Sequence, residues 1–230
     1  VLVITPEGGI IKRTPKYINQ DNLQTIKADV NLLENGSLTA SLVRKSYGIQ
    51  YNDKYYLADD SKSDLEKYYK STVWDYNNNL EVQKTNIVNN KENIEFIENI
   101  DLTIKDYARV KDSSILFRVN VLNKYSSIPK RYRKRERPLK ISRGFYDKDE
   151  VEIKLPKDYH ATFLPQPKEI KTKFGYYKVV IEKLDENSIK YTRELFLKEG
   201  VFPKEDYKKY RSFRKKIAKY DNLRLELTKQ

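Results

Sequence analysis

The chain has 230 residues, a net charge of +13, 38% apolar residues, no cysteine, no methionine and a single histidine, His160. The absence of cysteine excludes disulfides, zinc–thiolate sites and thiol nucleophiles, and one histidine leaves little room for a transition-metal site. No apolar run approaches the roughly 18 residues that a membrane-spanning helix needs.

The first part of the chain, residues 1–104, is predicted to form an antiparallel sheet. Pro6-Glu7-Gly8-Gly9 separates two short apolar runs, as the turn of a β-hairpin does. Apolar and polar residues alternate over 26–32 and again over 38–42, with Asn35-Gly36 between the two runs. Alternation is typical of strands with one buried face, and Asn-Gly accommodates the positive φ of a tight hairpin turn.

Short helices are predicted to lie on this sheet at about residues 49–72, where the periodicity changes. The segment 49–57 fits one short helix, and Ser63-Asp64-Leu65-Glu66 has the form of a capping box with Ser63 as the N-cap. Strand character returns at 80–88 and 94–104.

The second part, residues 105–230, is predicted to be a β-sandwich with one helix near 203–219. Ile189, Tyr191, Arg193 and Leu195 alternate with polar residues and therefore share the apolar face of a strand. Pro203 suits the first position of the helix. Further strands are predicted at 115–122, 150–156, 159–165, 176–184 and 222–228. The fold class is thus mainly β (α+β), with two antiparallel β-rich domains.

Positive charge is concentrated in the second part, since residues 1–110 carry a net −2 and residues 111–230 carry +15. One interpretation is a polyanion-binding surface for nucleic acid or an anionic surface. The other is a solvated loop and a solvated helix face, and the lack of a recognisable nucleic-acid module disfavours a nucleic-acid ligand. The candidate polyanion-binding residues are Lys130, Arg131, Arg133, Lys134, Arg135, Arg137, Lys208, Arg211 and Lys215.

No catalytic motif is evident, so the chain is predicted not to be an enzyme and to hold no cofactor or metal. His160 lies in a strand pattern with no nucleophile motif beside it, which favours a structural or surface role. Residues 59–64 are rich in aspartate but lack the spacing of a calcium loop. A hydrolase using two carboxylates is the remaining catalytic alternative, although the spacing of the 33 acidic residues singles out no pair.

Several short motifs resemble the C-terminal domain of unknown function of transglutaminase-like proteins from Bacteroidetes and related bacteria. The motifs are the run from Leu2 to Gly9 with Thr14-Pro15, then Arg137-Pro138, Leu155-Pro156-Lys157-Asp158-Tyr159, Leu164-Pro165, Phe174-Gly175-Tyr176-Tyr177, Tyr191-Thr192-Arg193 and the stretch from Tyr207 to Phe213. They correspond to turns and strand ends, so they indicate a family rather than an activity.

The resemblance implies an accessory role. In that family a core with a Cys-His-Asp triad precedes these β domains, and the proteins commonly carry export signals. The start at Val1 and the lack of methionine fit an internal fragment. The resemblance therefore implies a non-catalytic module in the periplasm, at the cell surface or secreted, which packs against the upstream core or mediates interaction with a protein or glycan.

Overall fold

The structure is a computed structural model that describes residues 1–13 and 17–229. Thr14 and Pro15, which carry part of the resemblance, lie outside the described residues. Strands make up 48% and helices 17% of the fold, so the predicted β-rich α+β class is confirmed. Within the described ranges, every helix is too short or too polar to cross a lipid bilayer.

The strands are numbered in chain order. They are β1 (Leu2–Thr5), β2 (Gly8–Ile11), β3 (Leu23–Leu32), β4 (Leu38–Tyr47), β5 (Leu80–Asn90), β6 (Glu95–Ile104), β7 (Arg109–Lys111), β8 (Ser114–Arg118), β9 (Leu139–Ile141), β10 (Phe145–Lys154), β11 (Tyr159–Ala161), β12 (Lys168–Thr172), β13 (Gly175–Asp185), β14 (Ser188–Leu197), β15 (Gly200–Phe202) and β16 (Arg224–Lys229). The helices are α1 (Ile49–Asn52), α2 (Lys62–Tyr68) and α3 (Tyr207–Asp221), joined by 3-10 turns at Tyr55–Asp59 and Lys204–Asp206 and a π-helical turn at Tyr69–Val73.

Eight strands form the main sheet, in the order β12-β13-β14-β10-β3-β4-β6-β5. A four-stranded sheet (β11-β16-β8-β7) and two two-stranded sheets (β1-β2 and β15-β9) complete the fold. The predicted antiparallel pairing holds throughout the main sheet except between β3 and β10, which are parallel. That pair joins strands from both sides of residue 104, so the predicted domain boundary does not coincide with a break in the sheet.

The main sheet has one buried face, which we call the inner face, and one polar face, which we call the outer face. On β3, for example, Ile26, Ala28, Val30 and Leu32 are buried, whereas the residues between them are exposed. The inner face and the four-stranded sheet contribute to one hydrophobic cluster. The cluster also includes Ile217 from α3 and Trp74 from residues 49–74 between β4 and β5, which we call the helical segment. The core thus lies between the main sheet and the elements packed on it.

Of three local predictions, the hairpin turn is confirmed and the two that concern helices differ in detail. The Asn35-Gly36 turn joins β3 to β4, and Gly36 has a φ of 81° that favours glycine. The N-cap of α2 is Ser61 rather than Ser63, because the Ser61 hydroxyl accepts a hydrogen bond from the Asp64 amide. The predicted helix at 49–57 is divided into α1 and a 3-10 turn.

Candidate functional site

Charged side chains lie on the inner face among the apolar ones. Arg44, Glu98, Asp147, Asp149 and Arg193 all follow the buried phase of their strands and are almost inaccessible to water. Burying an ion is costly unless it is paired and hydrogen-bonded. These groups form two clusters, in each of which acidic and basic side chains pair.

The first group, the Glu98 cluster, consists of Glu98, Arg44, Lys54 and Tyr69. Arg44 donates to both carboxylate oxygens of Glu98, at 2.6 Å from Nε and 2.5 Å from Nη2. Lys54 Nζ and the Tyr69 hydroxyl donate to the same carboxylate at 3.3 and 2.9 Å. Because Lys54 and Tyr69 belong to the helical segment, the cluster fastens that segment to β4 and β6.

Protonation in the Glu98 cluster follows from burial and charge together. Burial opposes ionisation of Glu98, but Arg44 and Lys54 outweigh it and lower the Glu98 pKa to about 2. Burial and the neighbouring Arg44 lower the pKa of Lys54 to about 8, although Glu98 opposes this change. Glu98 therefore remains ionised and anchors two buried cations.

The second group, the Arg193 cluster, consists of Arg193, Asp147, Asp149, Asp221 and Asn123. The Arg193 guanidinium donates to Asp149 at 2.8 Å and to both oxygens of Asp221 at 2.9 and 3.1 Å, and lies 3.9 Å from Asp147. The Asn123 amide donates to Asp147 at 3.4 Å and to Asp149 at 3.0 Å. The cluster therefore joins β10, β14, α3 and the segment that follows β8.

Three buried aspartates share one guanidinium in the Arg193 cluster, and burial raises the pKa of two of them, Asp147 and Asp149. Burial and the nearby Asp147 raise the pKa of Asp149 to about 7, against the attraction of Arg193. Burial also raises the pKa of Asp147, opposed by Arg193 and by donors from Gln50 and Asn123. Asp149 is thus expected to exchange a proton near neutral pH.

This pKa leads to a prediction for stability against pH. A carboxyl whose folded pKa is raised stabilises the fold in its protonated form, and that contribution is lost as the pH rises through the folded value. Between about pH 5 and pH 8, the free energy of unfolding of the wild type should therefore fall by about 2 kcal/mol relative to that of Asp149→Asn. Urea unfolding at several pH values measures this difference.

The control for this prediction is Glu150→Gln, on the outer face of the same strand. Its free energy of unfolding should follow the wild type across the pH range. If the wild-type and Asp149→Asn curves run parallel, the raised pKa is contradicted.

A cavity of about 610 Å³ opens beside the Arg193 cluster. Asp147 and Asn123 from the cluster line it, together with Gln50, whose amide donates to Asp147 at 2.9 Å. Tyr125 and Phe145 contribute aromatic walls and pack edge to face. The cavity therefore offers two carboxylates, four cationic side chains, amide groups and apolar surface to a small ligand.

The structure brings together only part of the predicted polyanion surface. Arg133, Arg135 and Lys208 line a notch of about 260 Å³ with Lys204 and Tyr207. Arg211 is half-buried and donates from Nε to the Pro129 carbonyl, so it holds backbone in place. The remaining predicted residues are exposed outside the notch, namely Lys130, Arg131, Lys134, Arg137 and Lys215.

His160 lies on β11 and its Nε2 is 3.4 Å from the Thr228 hydroxyl on β16. His160 is half-buried there, on the strand at one edge of the four-stranded sheet. Across residues 1–13 and 17–229, no group of three or more His, Asp or Glu side chains is placed to hold a metal ion.

The N-terminal hairpin of β1 and β2 forms a two-stranded sheet of its own and presents apolar side chains to solvent. Leu2 is 64% exposed, Ile4 83% and Ile11 87%. Leu2 faces Ile11 across the hairpin and Ile4 lies two residues further along β1, so the three share one face. An isolated two-stranded hairpin is marginally stable in water, and this apolar face is suited to burial against another surface.

The sequence interpretation missed Arg44, Glu98, Asp147 and Asp149. The signal was present, because each of these charged residues occupies a position in phase with the apolar residues of its strand. Arg193 was placed on the apolar face correctly, but its partners come from distant segments.

Comparisons with known proteins extend these observations. No curated protein matches the chain in sequence. The chain is similar to a solved structure, the crystal structure of a "putative protease" from Parabacteroides distasonis, with 17% identity and a TM-score of 0.43. The similarity covers 52% of this chain and 24% of that one, and a score this low does not establish a shared fold.

A model of the family described as a domain of unknown function with solved structure, DUF3858, matches residues 113–227, half of the chain. The chain therefore belongs to the DUF3858 family.

Proposed function

We propose that the chain is a non-catalytic β module of an exported transglutaminase/protease-like protein, and that it packs against the catalytic core of that protein. The observation that carries this proposal is the exposed apolar face of the N-terminal hairpin. The resemblance of the sequence to the region that follows such cores supports the same assignment. A protein or glycan partner would then bind elsewhere on the module.

The energetics favour a covered hairpin. Burying a large aliphatic side chain contributes about 1.5–3 kcal/mol, and Ile4 and Ile11 are almost fully exposed in this chain. While they are exposed, these side chains contribute no burial free energy. Packing against a neighbouring domain of the same polypeptide would add that free energy without the entropic cost of bimolecular association.

Hydrogen exchange of the hairpin amides tests the proposal. We expect exchange at β1 and β2 to be at least about tenfold slower in a polypeptide that includes the proposed catalytic core than in the 230-residue chain, because packing suppresses local opening. The double change Ile4→Lys and Ile11→Lys should abolish the added protection, because these are the most exposed apolar side chains of the hairpin.

The matched control is Ile10→Lys, which places the same substitution on the opposite face of the hairpin. It should leave most of the added protection in place. Equal exchange rates in the long and short proteins would overturn the proposal, as would an equal loss of protection in the control.

A hydrolase with a carboxylate dyad is the second candidate, and one observation favours it. Asp147 and Asp149 converge on one Asn123 amide beside a cavity, and the pKa of each is raised. Against it, Asp149 is bound by Arg193 in an ion pair. Turnover of a glycoside by the 230-residue chain, abolished by Asp147→Asn in a folded variant, would favour the dyad over the non-catalytic module.

A further inference from the structure

Residues 127–138, which precede β9 and which we call the basic segment, are held in place by hydrogen bonds from α3. The Tyr207 hydroxyl donates to the Lys130 carbonyl at 2.6 Å, and Arg211 Nε donates to the Pro129 carbonyl at 2.9 Å. One turn further along α3, Arg214 donates to the Ser127 carbonyl at 2.6 Å. The backbone that precedes Arg133 and Arg135 is therefore positioned by a helix, although it has no regular secondary structure.

This arrangement creates a small cationic notch, which we call the Arg135 notch. It has a volume of about 260 Å³ and lies between the basic segment and the start of α3. Glu205 is the one acidic residue among those that line it. The lining residues are Tyr132, Arg133, Arg135, Lys204, Glu205, Tyr207 and Lys208.

Arg135 is oriented by aromatic contacts. Its guanidinium carbon lies 4.2 Å from the centre of the Tyr207 ring and 5.8 Å from that of Tyr132. Nη2 donates to the Pro138 carbonyl at 3.0 Å, whereas the buried Nε has no hydrogen-bond partner in the described part of the chain. Stacking and a single backbone contact thus fix the plane of a guanidinium that retains donors for a ligand.

The lining charges indicate the chemistry of the ligand. Arg133, Lys204 and Lys208 surround Arg135, so the notch carries four cations against one carboxylate. A planar guanidinium binds the paired oxygens of a phosphate or similar oxyanion through parallel hydrogen bonds. The notch has room for one such group and exposes Tyr132, which is 48% accessible, at its rim.

We propose that the Arg135 notch is a binding site for a single tetrahedral oxyanion, a phosphate or sulfate group carried by a larger ligand. It differs from a diffuse polyanion surface because binding depends on the residues that line the notch. The site is independent of the hairpin and of the proposed packing on a catalytic core.

Titration of the chain with inorganic phosphate and, separately, inorganic sulfate tests this proposal. Ionic strength is held constant with chloride, and binding is followed by nuclear magnetic resonance shifts of the arginine Nε–H groups. We expect saturable binding of at least one anion, and the stronger binder identifies the ester type that the notch prefers. Arg135→Gln should weaken that binding about tenfold or more, because it removes a charged hydrogen bond.

Two further variants make the outcome decisive. Arg133→Gln changes an exposed notch residue, so a loss of binding in this variant does not depend on disrupted folding. The matched control, Lys134→Gln, removes the same charge from the neighbouring position outside the notch and should weaken binding less than about twofold. Absence of saturable binding overturns the proposal. So does an equal effect of Lys134→Gln, which would indicate general electrostatic attraction only.

Discussion

Replacing Arg193 by methionine is expected to lower the free energy of unfolding by about 3–5 kcal/mol, because it leaves buried carboxylates without their counter-ion. Arg193 is 1% exposed and bonds both Asp149 and Asp221. Methionine retains much of the side-chain volume, so the loss is electrostatic rather than a cavity effect. Urea unfolding at neutral pH measures the change.

The same experiment includes a control and a partial rescue. Lys190→Met lies on the same strand but on the outer face, where the Lys190–Glu150 ion pair is open to solvent, so stability should change little. Adding Asp149→Asn and Asp221→Asn to Arg193→Met should restore part of the loss, because the uncompensated charges are then removed. A loss no larger than in the Lys190 control would contradict the role assigned to Arg193.

Glu98→Gln is expected to be nearly as damaging, at about 3–5 kcal/mol, because it removes the carboxylate that pairs with both Arg44 and Lys54. Glutamine keeps the shape of the side chain, so the change isolates the charge. The corresponding control is Glu95→Gln, at the start of the same strand and on its outer face, where the ion pair with Lys45 is partly exposed.

Alkaline pH should partly relieve the Glu98→Gln defect. The pKa of Lys54 is already lowered to about 8 in the wild type, and loss of Glu98 lowers it further. A lysine with a lowered folded pKa favours the fold in its neutral form, so the variant should regain stability as the pH rises toward the unfolded value of about 10.4. If the deficit in thermal unfolding midpoint, relative to the wild type, does not change with pH, the loss of Glu98 does not lower the pKa of Lys54 further.

How much of this molecule could be predicted from the sequence depends on the range of the interactions. The strand at 188–197 and the Asn35-Gly36 hairpin follow from local alternation and turn chemistry, and both are present. The parallel pairing of β3 with β10 was missed because it joins segments far apart in the chain, and periodicity carries no information about partners.

The candidate site shows the same limit. Arg193 could be placed on a buried face from its phase among Ile189, Tyr191 and Leu195, but not assigned to Asp149 and Asp221, which come from another strand and from a helix. Likewise, the basic residues at 130–137 and 208–215 were grouped by charge alone. The fold separates them, because Arg133, Arg135 and Lys208 line a notch while Arg211 binds backbone.

The parallel pairing of β3 with β10 affects the order in which the strands can pair while the chain is synthesised. On the ribosome, β3 and β4 can form their hairpin early, but the other side of β3 has no partner until residues 145–154 emerge. During that interval the free edge of β3 has unsatisfied backbone donors and acceptors, which could form hydrogen bonds with a second nascent chain. One face of β3 is polar because Lys27, Asp29 and Asn31 alternate along it. This polar face disfavours intermolecular pairing of β3 before β10 is available.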